Sequence, residues 1–231
     1  MAFGEDLQGA VTKIFLDQWA TREGNVVPAP EDLELGNDAT NLDGTVLYAD
    51  MADSTQLVDS QKAHFAAEIY KSYMTCAARI IKNNGGVITA YDGDRIMSIF
   101  IGKTKNTTAA KTALQINWAV EHLVNPGLKT QYGIAAYQMK HVVAVDTSPI
   151  FACRIGVRND NDIVWVGRAA NHAAKLCSIN EYPVYITGTV FDSLDDSAKF
   201  GGDQRRLMWE ERVWKSMNNM RIFRSNWTWR V

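Results

Sequence analysis

Apolar residues recur every three to four positions near the start of the chain. Leu7, Val11, Ile14, Phe15 and Trp19 predict an amphipathic helix over residues 4–22, with a face for the main domain or for a partner subunit. Val26-Val27-Pro28-Ala29-Pro30 and Gly36-Asn37-Asp38 break the pattern and read as a linker. A main domain is therefore expected over residues 42–231, after an N-terminal helix and linker over 1–41. Thr45–Met51 is an apolar run of strand length. From Ser54 to Asn83 the period turns helical, with Phe65, Ile69, Tyr73, Cys76 and Ile80 on one stripe and Asn83-Asn84-Gly85-Gly86 as the stop. Val87–Tyr91 and Arg95–Ile101 flank a tight Asp92-Gly93-Asp94 turn, a strong hairpin signal. Thr104–Leu123 reads as a helix ending before Asn125-Pro126-Gly127, and Thr130–Met139 alternates like a strand.

The resulting order, β-α-β-β-α-β, specifies an α+β fold with a ferredoxin-like or palm-type sheet. A right-handed crossover makes the first two strands parallel and fits the third, antiparallel, between them. Asp50 ends the first strand and Asp94 opens the third, so the two should sit side by side. Adjacent carboxylates repel unless a cation shares them, and oxygen ligands suit a pair of Mg²⁺ or Mn²⁺ ions. Two such ions can activate an attacking oxygen while neutralising a phosphate and its leaving group. The plainer alternative is that Asp50 and Asp53 cap a helix and Asp94 serves a turn.

Beyond this core, His141–Gly167 alternates around Asn159-Asp160-Asn161-Asp162 and reads as a long hairpin with a polar tip. That tip lacks the Gly and Glu of an EF-hand loop. Arg168–Ile179 is an alanine-rich helix on which Asn171 and Lys175, four apart, share a face. Tyr182–Thr187 is a further strand, and Trp209, Trp214, Trp227 and Trp229 suggest edge-strand packing near the end. Lys215 is the basic residue among them to watch.

Composition narrows the function without choosing it. A net charge of −2 argues against non-specific nucleic-acid binding but not against a nucleotide held through metal ions. Cys76, Cys153 and Cys177 are scattered, which suits reduced thiols better than a disulfide framework. The four histidines are equally dispersed, against a zinc site. No apolar run approaches the ~18 residues that cross a bilayer, and the first residues lack a signal-peptide pattern. A cytoplasmic location is expected.

Taken together, residues 42–230 resemble the class III nucleotidyl cyclases. The family's first metal motif resembles Val46-Leu47-Tyr48-Ala49-Asp50-Met51-Ala52-Asp53-Ser54-Thr55. Its second resembles Gly93-Asp94-Arg95-Ile96-Met97-Ser98-Ile99-Phe100, and its transition-state helix resembles Gly167, Asn171 and Lys175. The resemblance implies a homodimer whose protomers dock head to tail, the long hairpin serving dimerisation, with shared active sites. Asp50, Asp94 and the Met51 carbonyl would bind two metal ions from one subunit. From the other subunit Asn171 would orient the ribose, and Lys175 would stabilise charge on the α-phosphate. The family usually has arginine at Lys175, and lysine lacks its bidentate fork. Lys215 resembles the phosphate-binding lysine, without the glycine pattern that usually surrounds it.

The base pocket departs from the purine cyclases. Adenylate cyclases carry a Lys four residues before the hairpin Asp, and an Asp or Thr three before the helix-leading Gly. Guanylate cyclases place Glu and Cys or similar residues there. This chain holds Ala90 and Val164, so the hydrogen-bonding pair that reads a purine is missing. Tyr48, Asp92 and Trp165 would fill neighbouring pocket positions and favour a smaller base. Tyr91-Asp92-Gly93-Asp94-Arg95 with Val164-Trp165-Val166-Gly167 resembles the pyrimidine cyclases of bacterial anti-phage defence. Those proteins make a cyclic monophosphate from UTP or CTP that triggers a separate effector. The expectation is cUMP, with cCMP next. Rivals are a purine cyclase, a nucleotide-sensing module without turnover, and a palm-type polymerase or diguanylate cyclase, for which a Gly-Gly-Asp-Glu-Phe motif is lacking.

Overall fold

The computed structural model describes residues 2–133 and 137–231. Its chain order begins with helix α1 (Phe3–Leu16), strands β1 (Ala20–Glu23) and β2 (Asp38–Ala52), and helices α2 (Ser54–Ser60) and α3 (Ala63–Asn83). The hairpin β3 (Val87–Asp92) and β4 (Arg95–Phe100) follows, then helix α4 (Lys105–Ala119) and, after a π turn at Val120–Val124, α5 (Asn125–Tyr132). A second hairpin, β5 (Lys140–Val157) and β6 (Asp160–Val166), leads into α6 (Arg168–Leu176), β7 (Val184–Thr187), α7 (Gly188–Asp192) and α8 (Asp196–Lys199). The chain ends with β8 (Phe200–Gly201), β9 (Arg206–Leu207), β10 (Glu210–Trp214) and β11 (Met220–Ser225).

The main sheet runs β10-β11-β7-β5-β2-β4-β3, with β1 also on β2 and β6 also on β5. Its stretch β5-β2-β4-β3 has the ferredoxin-like order: β2 and β5 are antiparallel, and β4 lies antiparallel between β2 and β3. The period-two alternation of β2 gives the sheet two different faces. Leu47, Ala49 and Met51 face the large core under α3 and α4, whereas Val46 and Tyr48 face the side that α6 covers. On the first side Ile69, Tyr73 and Ile81 of α3 are wholly buried, each worth roughly 1.5–3 kcal/mol of apolar burial. Among the described residues no helix is long and apolar enough to cross a membrane, and all three cysteines are free thiols.

Several boundaries differ from those the sequence predicts. The helix expected over 54–83 is two helices, broken at Gln61 and Lys62, which are extended. In one continuous helix Leu57 would stand about 120° from Ile69; the break lets both reach full burial. The helix expected to stop at Leu123 runs on into α5. Pro126 follows directly on the π turn at Val120–Val124, where the regular i→i−4 ladder is already interrupted and can do without its N–H. The strand expected at Thr130–Met139 is accordingly displaced: Thr130–Tyr132 close α5, and residues 137–139 carry no strand. Residues 134–136 lie outside those described. The core strand is instead β5, the first arm of the long polar-tipped hairpin.

At the N-terminus, helix α1 ends at Leu16, and Ala20–Glu23 is a parallel partner of β2. The apolar stripe of α1 is exposed, so it packs on no part of its own domain. Trp19 lies beyond the helix, its ring edge-on to Phe151 at 5.0 Å. Of the late tryptophans, only Trp214 belongs to a strand; Trp227 and Trp229 lie in the extended tail beyond β11, packed against the large core.

Candidate active site

Asp50 and Asp94 lie side by side where the last residues of β2 run beside the β3–β4 turn. Gly93, at φ 59°, makes this two-residue connection possible without strain. Register places Asp50 opposite Arg95, and the Met51 N–H donates to the Asp94 carbonyl at 3.3 Å. From beneath, the fully buried Tyr73 hydroxyl donates to the Asp50 carbonyl at 3.4 Å. Asp53 does not cap α2 through its side chain; its backbone, at φ 59°, turns the chain sharply after β2.

Asp50 is only 7% exposed. Its Oδ2 pairs with Arg95 Nε at 3.0 Å, while its Oδ1 is buried without a hydrogen-bond partner. Burial pushes the carboxyl up to about 6; Arg95 opposes the rise and Asp94 adds to it. A buried carboxylate oxygen without a partner is costly unless something cationic meets it. Hard oxygen donors suit a divalent cation. The described residues gather no cluster of three His, Cys, Asp or Glu side chains, so a cation here would draw on two carboxylates and backbone oxygen.

Tyr48 and Asp50 share the face of β2 that looks toward α6. Tyr48, Ala90 and Trp165 all border one apolar cluster that includes Val46, Met97 and Ala173. Asp92, at the end of β3, is exposed and pairs in register with Arg95. Burial raises the Tyr48 phenol, and Asp92 contributes to that rise, which places the two in one electrostatic neighbourhood. Val164 is not brought into this group: it neighbours Trp165 in β6 and so points to the opposite face.

Helix α6 begins at Gly167, where a Cβ would come within 2.8 Å of the Pro149 carbonyl oxygen. Only glycine lets the helix start this close to β5. Ala169, Ala170, Ala173 and Leu176 then seat α6 on the sheet, while Asn171 and Lys175 stand on its exposed face. Among the described residues neither side chain forms a hydrogen bond or ion pair, which leaves both side chains open to a second molecule. Lys215 is exposed in a 3₁₀ turn between β10 and β11, separated from β2 by β11, β7 and β5.

Sequence reasoning missed Arg95 and Tyr73, and also the 3.0 Å contact between Asp146 of β5 and His172 of α6. Arg95 was legible in principle, because pairing β2 with β4 sets it opposite Asp50. Asp146 also carried a signal, as a carboxylate inside the apolar run Val142–Val145 that must find a polar partner. Tyr73 looked like one more apolar position on its stripe.

The fold and the paired carboxylates define a nucleotide-cyclase class of architecture. The guanylyl cyclase Cya2 superposes with a TM-score of 0.68 over 82% of this chain and 94% of its own, at 16% identity. No protein-family model matches the chain. It is 47% identical over 232 residues to a protein named Uridylate cyclase from Xanthomonas perforans, covering all of both chains. It is 43% identical over 233 residues to another of that name from Burkholderia cepacia, again over both full lengths. The chain belongs to the class III nucleotidyl cyclase family, in the group that holds these uridylate cyclases.

Proposed function

We propose that this protein is a uridylate cyclase, converting UTP to 3′,5′-cyclic UMP and pyrophosphate. The observation that carries the chemistry is the Asp50–Asp94 pair, with a buried Asp50 oxygen left without a partner. Asp50, Asp94 and the Met51 carbonyl would hold two Mg²⁺ or Mn²⁺ ions, which when bound supply charge neutralisation at the triphosphate and acidity at the ribose 3′-hydroxyl. The 3′-oxygen attacks the α-phosphorus in line, and the bond to the β-phosphate oxygen breaks to release pyrophosphate. Asn171 orients the ribose, and Lys175 places positive charge against the α-phosphate as its coordination rises to five. Lys215 serves the phosphate chain.

The outward face of α6 supports a homodimer in which Asn171 and Lys175 act in the partner's site. For the base, Ala90 offers nothing to a purine, while Tyr48 and Trp165 narrow the space beside it. Asp92 accepts a hydrogen bond from uracil N3–H. The names of the full-length relatives favour UTP over CTP. Following the same resemblance, the cyclic nucleotide is a signal for a separate effector in anti-phage defence.

Product analysis with ATP, GTP, CTP and UTP supplied one at a time with Mn²⁺ tests the substrate. Cyclic UMP as main product is expected; cyclic AMP or GMP as main product overturns the assignment. For the shared site, Asp50→Ala and Asn171→Ala proteins are each inactive alone, and their mixture recovers part of the activity. No recovery means that each site is built within one chain.

A further inference from the structure

A second carboxylate lies on the same sheet face, away from the metal-type pair. Asp146 of β5 is fully buried, a position a carboxylate holds only with polar company. Its Oδ1 accepts from the Thr187 hydroxyl at 2.6 Å. Its Oδ2 lies 3.0 Å from Nδ1 of the buried His172 and 3.5 Å from Arg168 Nε, in ion-pair reach though not aligned as a hydrogen bond. Both partners belong to α6. Arg168 also donates to the Thr147 carbonyl at 3.0 Å, and the Ala169 N–H donates to Ser148 Oγ at 3.0 Å.

These contacts matter because of what the rest of the α6 underside is. Ala169, Ala170 and Ala173 allow close approach to the sheet but interlock weakly, so besides the buried Leu176 little apolar packing fixes the rotation of this nine-residue helix. His172 follows Asn171 directly and precedes Lys175 by three positions. It projects inward where they project outward, so fixing its ring fixes their direction. The edge of the Trp214 ring, 6.1 Å away and next to Lys215, closes the other side of the imidazole.

We propose that Asp146 and His172 form a positioning pair that sets the rotation of α6, and thereby the reach of Asn171 and Lys175 into the site. The proposal rests on the reading that those two residues act during turnover. Their contacts strengthen as charge develops on the α-phosphate, so misplacing them lowers kcat more than it raises KM. A displacement of about 1 Å is enough to cost about 100-fold.

The test compares His172→Leu, which keeps bulk but removes the polar contact, with His172→Asn, which keeps a donor near the Nδ1 position. With Mn²⁺ and UTP, His172→Leu is expected to lose about 100-fold in kcat with KM changed less than about threefold. His172→Asn is expected to recover at least about tenfold of that loss. Mixing His172→Leu with Asp50→Ala protein should restore activity, because one of the two shared sites then holds an intact α6 and an intact Asp50. An unchanged kcat in folded His172→Leu overturns the proposal. So does a failed mixture when Asn171→Ala with Asp50→Ala does recover, since His172 would then act within its own chain. If that control mixture fails, the shared-site reading is what falls, and the kcat of His172→Leu alone decides the positioning role. Should His172→Leu not fold, Asp146→Asn, which keeps the shape and the Thr187 contact, is measured with the same expectations.

Discussion

Asp50 and Asp146 are two buried carboxylates on one sheet face, and they are treated in opposite ways. Asp146 has a polar group at each oxygen: Thr187 at one, His172 and Arg168 at the other. Asp50 has Arg95 at one oxygen and nothing at the other, and its acidity is weakened accordingly. The first arrangement ties three elements, β5, β7 and α6, into a fixed unit. The second leaves binding capacity unspent at the mouth of the site. Neither burial nor a missing hydrogen bond marks a functional carboxylate by itself, because one oxygen of each residue lacks an aligned partner. The difference is that Asp146 Oδ2 faces two basic side chains of α6, whereas Asp50 Oδ1 faces none.

The largest contrast appears on neutralising each residue. Asp50→Asn should lower UTP turnover at least about 10³-fold, since a ligand charge at the reacting phosphate is lost. The same change should stabilise the metal-free protein at pH 7.5 by about 2 kcal/mol, by removing a charge that burial disfavours. Asp146→Ala should act in the reverse sense on stability, costing about 3 kcal/mol in urea unfolding because its partners are left buried and unpaired.

The difference should also depend on pH. A carboxyl raised from 3.8 to about 6 favours folding at low pH, and that contribution is lost as pH rises through about 6. The stability gap between Asp50→Asn and wild type, measured without metal, should therefore shrink from pH 7.5 to pH 4. His141 works the other way: burial lowers it to about 3, so its contribution is present above about 6.5 and fades as pH falls toward 3. Wild-type stability should fall on acidification less steeply than that of Asp50→Asn. The smallest effect is expected for Tyr73→Phe, which removes one long hydrogen bond to the Asp50 carbonyl and should cost roughly 1 kcal/mol.

The same contrast explains what was legible in the sequence. Asp50 and Asp94 could be brought together from topology alone, because the order of strands and helices leaves their strands one place in the sheet. The outward pairing of Asn171 with Lys175 follows from helical spacing. Asp146 and His172 were hidden because each sits in a segment whose period reads as ordinary packing, and their meeting depends on how far β5 extends. The strand-like alternation of Thr130–Met139 conceals that extent, since it offers a nearer candidate for the core strand. The exposed stripe of α1 was equally unreadable: periodicity announces an apolar face but not what covers it.

A uridylate cyclase requires Asp94, a hairpin-tip residue beside Asp50, to serve the chemistry and not the fold. The direct measurement is UTP turnover with Mn²⁺ and the melting temperature of Asp94→Asn, taken on one preparation beside wild type. Wild-type protein should release cyclic UMP and pyrophosphate, while Asp94→Asn should release neither and melt within about 2 °C of wild type, no more than the shift that ~1 kcal/mol brings in a chain of this size. Turnover that survives the substitution, or is lost only together with the fold, would contradict the account.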